Sequence, residues 1–297
     1  MTRPAHRAGF ACFVGRPNVG QSTLTNALVG AKVAITSGRP QTTRHAVRGI
    51  VHRPDAQLVV IDTPGLHRPR TLLGERLNDI VRTTLAEVDV VCACFPADQP
   101  IGPGDRYLSA TLADIRTPVL AVVTKADLAD PDRLGAQLLA VSALHDWAEV
   151  VPVSATTRYQ IGLLADLLVT RLPESPPLYP EGELTSEPEL TMVAELIREV
   201  ALEGVRDELP HSLAVVVEEM SRRPERDLVD VHAVIYVERS SQKPIVIGAG
   251  GARLKTVGTV ARHQVQKLLG SQVFLELHVY VAKDWQRDPR QLRRLGF

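Results

Sequence analysis

The sequence predicts an α/β domain with a mostly parallel sheet covered by helices on both faces, followed by a smaller α+β domain. Three observations carry this. Over the first half of the 297 residues, near-continuous apolar runs alternate with helical patterns. One of those runs, Phe10-Ala11-Cys12-Phe13-Val14, leads into a glycine-bearing turn and then a helix. From Leu172 the texture turns proline-rich and acidic, and alternating apolar patterns follow. The domains therefore read as 1–172 and 190–297, with a linker over 173–189.

The first strand ends in Gly15-Arg16-Pro17-Asn18-Val19-Gly20-Gln21-Ser22-Thr23, and Leu24 to Val29 reads as a helix closed by Gly30. Strand, glycine turn and helix let backbone N–H groups and a helix N-terminus surround an anion. The spacing meets G-x-x-x-x-G-K-[ST] at every fixed position except one, where Gln21 stands for lysine. Taken alone, this stretch leaves a phosphate site and a chance match equally open. Val47 to Val51 and Gln57 to Ile61 read as a hairpin around Arg53-Pro54-Asp55. Val88 to Phe95, Val119 to Val123 and Val150 to Val153 read as further strands, with helices over Leu72 to Ala86 and Leu134 to Leu144. Ligands of such sheets bind at the carboxyl ends of the strands.

The loops at those ends carry chemistry. Asp62-Thr63-Pro64-Gly65 places an acid at a strand end and then a turn whose backbone can approach a terminal phosphate. Asp62 suits a Mg2+ ion held through water, beside the hydroxyl of Ser22. In Thr124-Lys125-Ala126-Asp127 the Asp can accept from the N1–H and amino group of guanine, an edge that adenine lacks, and the Lys stem can lie along the base. Ser154-Ala155-Thr156 offers backbone N–H groups to a base oxygen. Any one of these loops reads equally as an ordinary turn. Four in order, each after its own strand, predict a guanine-nucleotide site.

Beyond the linker, Leu190 to Leu202 predicts an amphipathic helix, and Ser212 to Glu218 with Val229 to Val237 an antiparallel pair. Gly248-Ala249-Gly250-Gly251 then lies between two short apolar helices, followed by Arg253 and Lys255. This resembles the glycine loop of a type II KH domain, which lets a nucleic-acid backbone approach closely while a groove takes unpaired bases. From Arg239 onward basic residues dominate, with only Glu276, Asp284 and Asp288 against them. A near-neutral chain with one basic end suits an RNA module.

The order of the nucleotide loops, together with Ile35-Thr36-Ser37-Gly38-Arg39-Pro40-Gln41-Thr42-Thr43-Arg44-His45 and Asp62-Thr63-Pro64-Gly65-Leu66-His67, resembles the Era family of bacterial ribosome-assembly GTPases. Glu276 to Val281, Trp285 and the closing Leu295-Gly296-Phe297 extend the likeness over nearly the whole chain. The resemblance implies a P-loop GTPase domain joined to a KH domain, with GTP, GDP and Mg2+ bound by residues 15–23, 62–66, 124–127 and Ser154-Ala155. It implies metal ligation by Ser22, Thr43 and Asp62, and catalysis involving Thr43, Gly65 and Asn18. In relatives of this family an asparagine like Asn18 helps hold K+ in place of an arginine finger. The residue after Gly65 is apolar, so no glutamine positions the attacking water. The implied partners are the 3′ region of 16S ribosomal RNA and the 30S subunit, for a monomer with loose peripheral membrane association. Two departures stand out: Gln21 for lysine, and Thr124 for the asparagine that heads the base motif.

Composition narrows the rest. Formal net charge is zero, and the start of the chain lacks a signal-peptide core, so a soluble cytoplasmic protein is expected. The three cysteines, Cys12, Cys92 and Cys94, lie in apolar runs and read as buried thiols rather than disulfides or ligands. One rival reading is an assembly factor of the same fold whose hydrolysis is impaired by Gln21. The other is a P-loop ATPase or kinase, against which Asp127 argues.

Overall fold

The computed structural model describes residues 5–37, 42–205 and 209–297; Gly38-Arg39-Pro40-Gln41 of the Era-like segment lie outside the described residues. The chain divides into two compact units, the first drawn mainly from residues up to Ser186 and the second from Glu187 to Phe297.

In the first unit the elements run β1 (Arg7–Gly15), α1 (Gln21–Val29), β2 (Val47–His52), β3 (Ala56–Asp62), α2 (Leu72–Glu87) and β4 (Val90–Pro96). They continue with α3 (Pro103–Leu112), β5 (Val119–Thr124), α4 (Pro131–Ser142), β6 (Glu149–Pro152) and α5 (Ile161–Val169). The sheet order is β2-β3-β1-β4-β5-β6, parallel except for the β2–β3 hairpin. Apolar residues along each strand alternate between two cores. Ala11, Phe13, Cys92, Cys94, Leu120 and Val122 pack with Leu24, Leu28, Leu164 and Leu168 of α1 and α5. Cys12, Val14, Val91, Ala93, Ala121 and Val123 pack with Val81, Leu85, Leu108, Leu112 and Val141 of α2, α3 and α4. Double coverage explains why the strands read as continuous apolar runs. Burial pushes all three thiols up, that of Cys12 to about 12.

β1 sits between β3 and β4: the chain leaves β1 toward the β2–β3 side, and the next crossover, from β3, passes to β4 on the other side. That switch point opens a crevice where the glycine turn begins.

The stretch expected as a linker behaves differently over its first part. Ala8 N–H donates to Pro173 O at 3.2 Å, and Ile50 N–H to Leu184 O at 2.9 Å. Gln57 accepts from the backbone N–H groups of Leu178 (2.6 Å) and Tyr179 (2.8 Å) and donates to Tyr179 O at 2.8 Å. Proline-rich composition signals the absence of helix; it says nothing about whether the remaining N–H groups find partners. Here residues 173–185 lie hydrogen-bonded along the first unit.

The second unit comprises α6 (Glu189–Leu202), α7 (Leu209–Ser212), β7 (Ala214–Arg223), β8 (Leu228–Val237), α8 (Lys243–Ile247), α9 (Ala252–Leu269), β9 (Gln272–Val281) and α10 (Pro289–Arg294). Its sheet order is β7-β8-β9, antiparallel then parallel, with a bulge in β7 between Val217 and Glu219. The carboxyl-terminal Trp285 is fully buried, donates to Ser212 O at 3.0 Å and stacks on Phe297 with centroids 5.5 Å apart.

Candidate functional site

The crevice at the end of β1 gathers the predicted loops. Gly20, at φ 97°, immediately precedes α1, and no side chain caps the helix, so its first N–H groups face the crevice with their positive dipole end. Gly65 passes so close to the glycine turn that a Cβ there would lie 2.8 Å from Pro17 N, and Leu66 N–H donates to Gly15 O at 2.8 Å. Ser22 Oγ donates to Asp62 Oδ2 at 2.6 Å and lies 3.0 Å from Thr43 Oγ1, which is 3.3 Å from the same carboxylate oxygen. Three residues from a helix, a loop and a strand end thus converge on one point.

Asp62 is fully buried and its Oδ1 has no hydrogen-bond partner. Burial raises its pKa to about 7 against the smaller opposing effect of the Ser22 and Thr43 hydroxyls. Two hydroxyls and an orphaned carboxylate oxygen are the hard-oxygen donor set of a Mg2+ ion, and these residues fit one.

Beside this point a cavity of about 300 Å³ is lined by Thr124, Lys125, Asp127, Leu128, Ala155 and Thr156, together with Gly20 and Thr23 from the glycine turn and α1. Lys125 adopts φ 57° and its Nζ lies 3.6 Å from Asp98, which steadies the stem along the cavity. Ala126 N–H donates to Val153 O at 3.1 Å, and Ser154 Oγ accepts from Thr157 N–H at 3.0 Å. The Thr124 hydroxyl reaches Val19 O at 2.5 Å. It ties the loop after β5 to the glycine turn, at the position where the family resemblance implies an asparagine.

Two side chains go where the sequence reading did not put them. Gln21 is buried, and its amide donates to Phe13 O at 2.9 Å, the same carbonyl that accepts from Thr63 Oγ1 at 2.8 Å. From the first turn of α1, the neutral amide thus holds the end of β1, the strand that leads into the glycine turn. Arg16 turns to Asp105 (3.1 Å) and Gln99 (2.7 Å), leaving its backbone to the crevice. In each case a nearby oxygen captures the side-chain donor.

In the second unit a groove of about 340 Å³ runs between α9 and β9, lined by Gly251, Leu254, Lys255, Arg262, Leu275 and Leu277 among others. Gly250 and Gly251 have positive φ (57° and 82°) and nothing within 4 Å of where a Cβ would stand, so the loop presents bare backbone at the groove mouth. Gly248, by contrast, would bring a Cβ within 2.6 Å of Arg253 Cβ. Arg253 was expected to face RNA; its guanidinium instead caps α6, donating to Ala201 O (2.9 Å) and Glu203 O (2.8 Å). A helix end with unpaired carbonyls is a strong local competitor for a cation.

Comparison with known proteins matches residues 10–125 to the 50S ribosome-binding GTPase family and residues 208–286 to the KH domain family. The chain is 68% identical to GTPase Era of Streptomyces coelicolor, covering 98% of this chain and 95% of that one. The chain belongs to the Era family. Era from Mycolicibacterium smegmatis is 64% identical over 98% of this chain and 99% of its own. Among solved structures, an Aquifex aeolicus Era variant bound to GDP·AlF4− superposes with TM-score 0.94 at 34% identity, covering 98% and 99%. Era in complex with MgGDPNP and nucleotides 1506–1542 of 16S ribosomal RNA gives 0.93 at 35% identity, with the same coverage.

Some of this Era-family chain's supporting residues escape sequence reasoning. Asn26 accepts from Val33 and Ala34 N–H (each 2.9 Å) and donates to Ala34 O (2.8 Å), pinning the chain as it leaves α1. Asp98 and Asp105 restrain Lys125 and Arg16. Their only signal is position: Asn26 is polar inside a helix, and Asp105 follows Pro103 in a first turn.

Asp62 gives a pH prediction for the metal-free Era-family chain. Its folded pKa of about 7 lies above the unfolded carboxylate value, so the folded state holds the extra proton between them. Stability should therefore fall as pH rises through that window, by about 2–4 kcal/mol in all. Asp62→Asn should flatten this slope and melt higher than the parent at pH 8 in chelator, while losing Mg2+-dependent nucleotide binding. Parallel melting curves against pH for the two proteins would refute the assignment.

Proposed function

We propose that this chain binds and hydrolyses GTP in its first unit and binds the 3′ region of 16S ribosomal RNA through its second, as an assembly factor of the 30S subunit. The convergence of Ser22, Thr43 and Asp62 beside a cavity that holds Asp127 carries the nucleotide reading. The glycine loop and the basic groove carry the RNA reading. Mg2+ held by Ser22, Thr43 and Asp62 would neutralise charge on the terminal phosphates. The residues do the rest by positioning. The helix terminus and the backbone of residues 15–23 grip the phosphates. Gly65 brings its N–H toward the terminal one, and Asp127 selects the base. Single-turnover hydrolysis with Mg2+, competed by GDP but not ATP, tests this; displacement by ATP would favour the P-loop ATPase or kinase.

A second reading has an observation of its own. With Gln21 neutral and engaged on Phe13 O, this position supplies no charge to the phosphates, so binding without efficient turnover is the alternative. Asn18, at φ 67° in the phosphate loop, is proposed to recruit K+ as a replacement charge. Turnover should then rise when KCl replaces NaCl, and equal rates would remove the ion from the mechanism. Among the described residues no helix is long and apolar enough to cross a membrane. Peripheral attachment and the monomeric state remain part of the proposal.

Gly251→Asp tests the groove. It adds a negative charge at a φ of 82° where only open space now lies, so single-stranded RNA affinity should fall by on the order of tenfold or more. Nucleotide affinity should hold. Unchanged RNA binding would remove the glycine loop from the interface.

A further inference from the structure

Strand β9 is the edge of the second sheet, and its residues alternate between two faces. Leu275 and Leu277 line the groove against α9. Phe274, Glu276, His278 and Tyr280 point to the reverse face, where Phe274 is 52% and Tyr280 50% exposed. Large aromatic side chains exposed on one face of a strand, set among partners, are a feature of interaction surfaces. Their neighbours are arranged. His278 stacks against Tyr280 with an interplanar angle of 16°, and Lys243 Nζ stands 5.8 Å from the Tyr280 ring centre. Arg294 lies 5.6 Å over the ring of Tyr236, which is paired with Tyr280 across the sheet. The one carboxylate in the row, Glu276, gives an oxygen to each of two imidazoles, His232 at 2.7 Å and His278 at 3.2 Å.

We propose that this reverse face of β9 is a second RNA surface, on which unpaired bases flanking the groove-bound segment stack after the strand rounds the sheet edge. The occupant follows from continuity and chemistry. The same strand that walls the groove carries the rings on its other side, and flat rings with cations at one end are what bases and phosphates need. A pair of stacks gives affinity with little sequence preference, which complements a groove that grips few nucleotides. The inference rests on the RNA reading above.

The test uses the full chain and twelve-nucleotide tiles of the 16S segment spanning nucleotides 1506–1542. The tightest tile and its central four nucleotides are compared by fluorescence anisotropy, on the parent and on the triple variant Phe274→Ala, His278→Ala, Tyr280→Ala. The variant should bind the tile roughly tenfold or more weakly, as the loss of one or two stacks requires, and bind the short core unchanged. In parallel, tiles carrying 4-thiouridine outside the core should photo-cross-link to Phe274, His278 or Tyr280 of the parent, a result that does not depend on how the variant folds. Equal tile affinity in parent and variant, an equal loss for tile and core, or cross-links confined to the groove would overturn the proposal and leave the groove standing. A parent that binds neither RNA would overturn the RNA reading and this surface with it.

Discussion

Asp127→Asn is expected to exchange a preference for GTP for one for XTP. Asp127 lines the cavity proposed for the base, together with Lys125, Ala155 and Thr156. With guanine in this cavity, the carboxylate would accept two hydrogen bonds, from the N1–H and the amino group. An asparagine keeps one acceptor and turns a donor toward the other, so the amino group meets an N–H. Xanthine carries a carbonyl at that position and restores the match. Losing a charged hydrogen bond costs about 1.5–3 kcal/mol, and leaving a donor unpaired costs about 1–3 more. GTP affinity should therefore drop by roughly 10²-fold or more, and XTP should rise to bind in its place. Competition titrations with GTP, XTP and ATP read this directly. A variant that still ranks GTP above XTP would place this loop away from the base.

Gln21→Lys should raise the hydrolysis rate by a larger factor than it raises GDP affinity. The present amide spends its donor on Phe13 O, a carbonyl that Thr63 Oγ1 also satisfies, so the strand end survives the exchange. A lysine is one methylene longer and carries a charge that strand carbonyls only partly satisfy, which frees it for the phosphates. Replacing no contact by a charged one in the ground state is worth on the order of tenfold in affinity. As the bond to the terminal phosphate breaks, negative charge grows on the bridging oxygen, and a fixed cation there is worth roughly 10²-fold or more in rate. Single-turnover rates and GDP dissociation constants for parent and variant separate the two effects. Equal factors, or no gain in rate, would mean that the site already supplies the missing charge.

Much of this was legible in the residues. Continuous apolar strands between helices gave away the doubly covered sheet, and the loop order located the crevice, because both depend on local patterns that repeat. What stayed hidden depended on choices among nearby partners. Nothing in the string says that Gln21 bonds to a carbonyl eight residues back, that Arg16 pairs with Asp105, or that Arg253 closes α6. Each is a donor with two plausible acceptors, and three-dimensional proximity decides. Thr124 is the reverse case: it departs from the family motif, yet its hydroxyl still makes the tie to Val19 O. The prolines of residues 173–180 read as a linker, and the contacts it makes stayed hidden for the same reason, since composition reports which structures are barred and not which contacts are made.

That hydrogen-bonded stretch has a consequence for where the chain can be cut. β2 is an outer strand of the first sheet, and such strands invite pairing with foreign strands. Ile50 N–H bonds to Leu184 O, Gly49 forms a bridge with Thr185, and the Thr185 hydroxyl donates to Arg48 O at 2.7 Å. The segment thus works as a selvedge, binding the border of the sheet so that it does not fray into aggregation. A fragment that stops at Leu172 leaves this border raw, whereas one that runs through Ser186 carries its own hem.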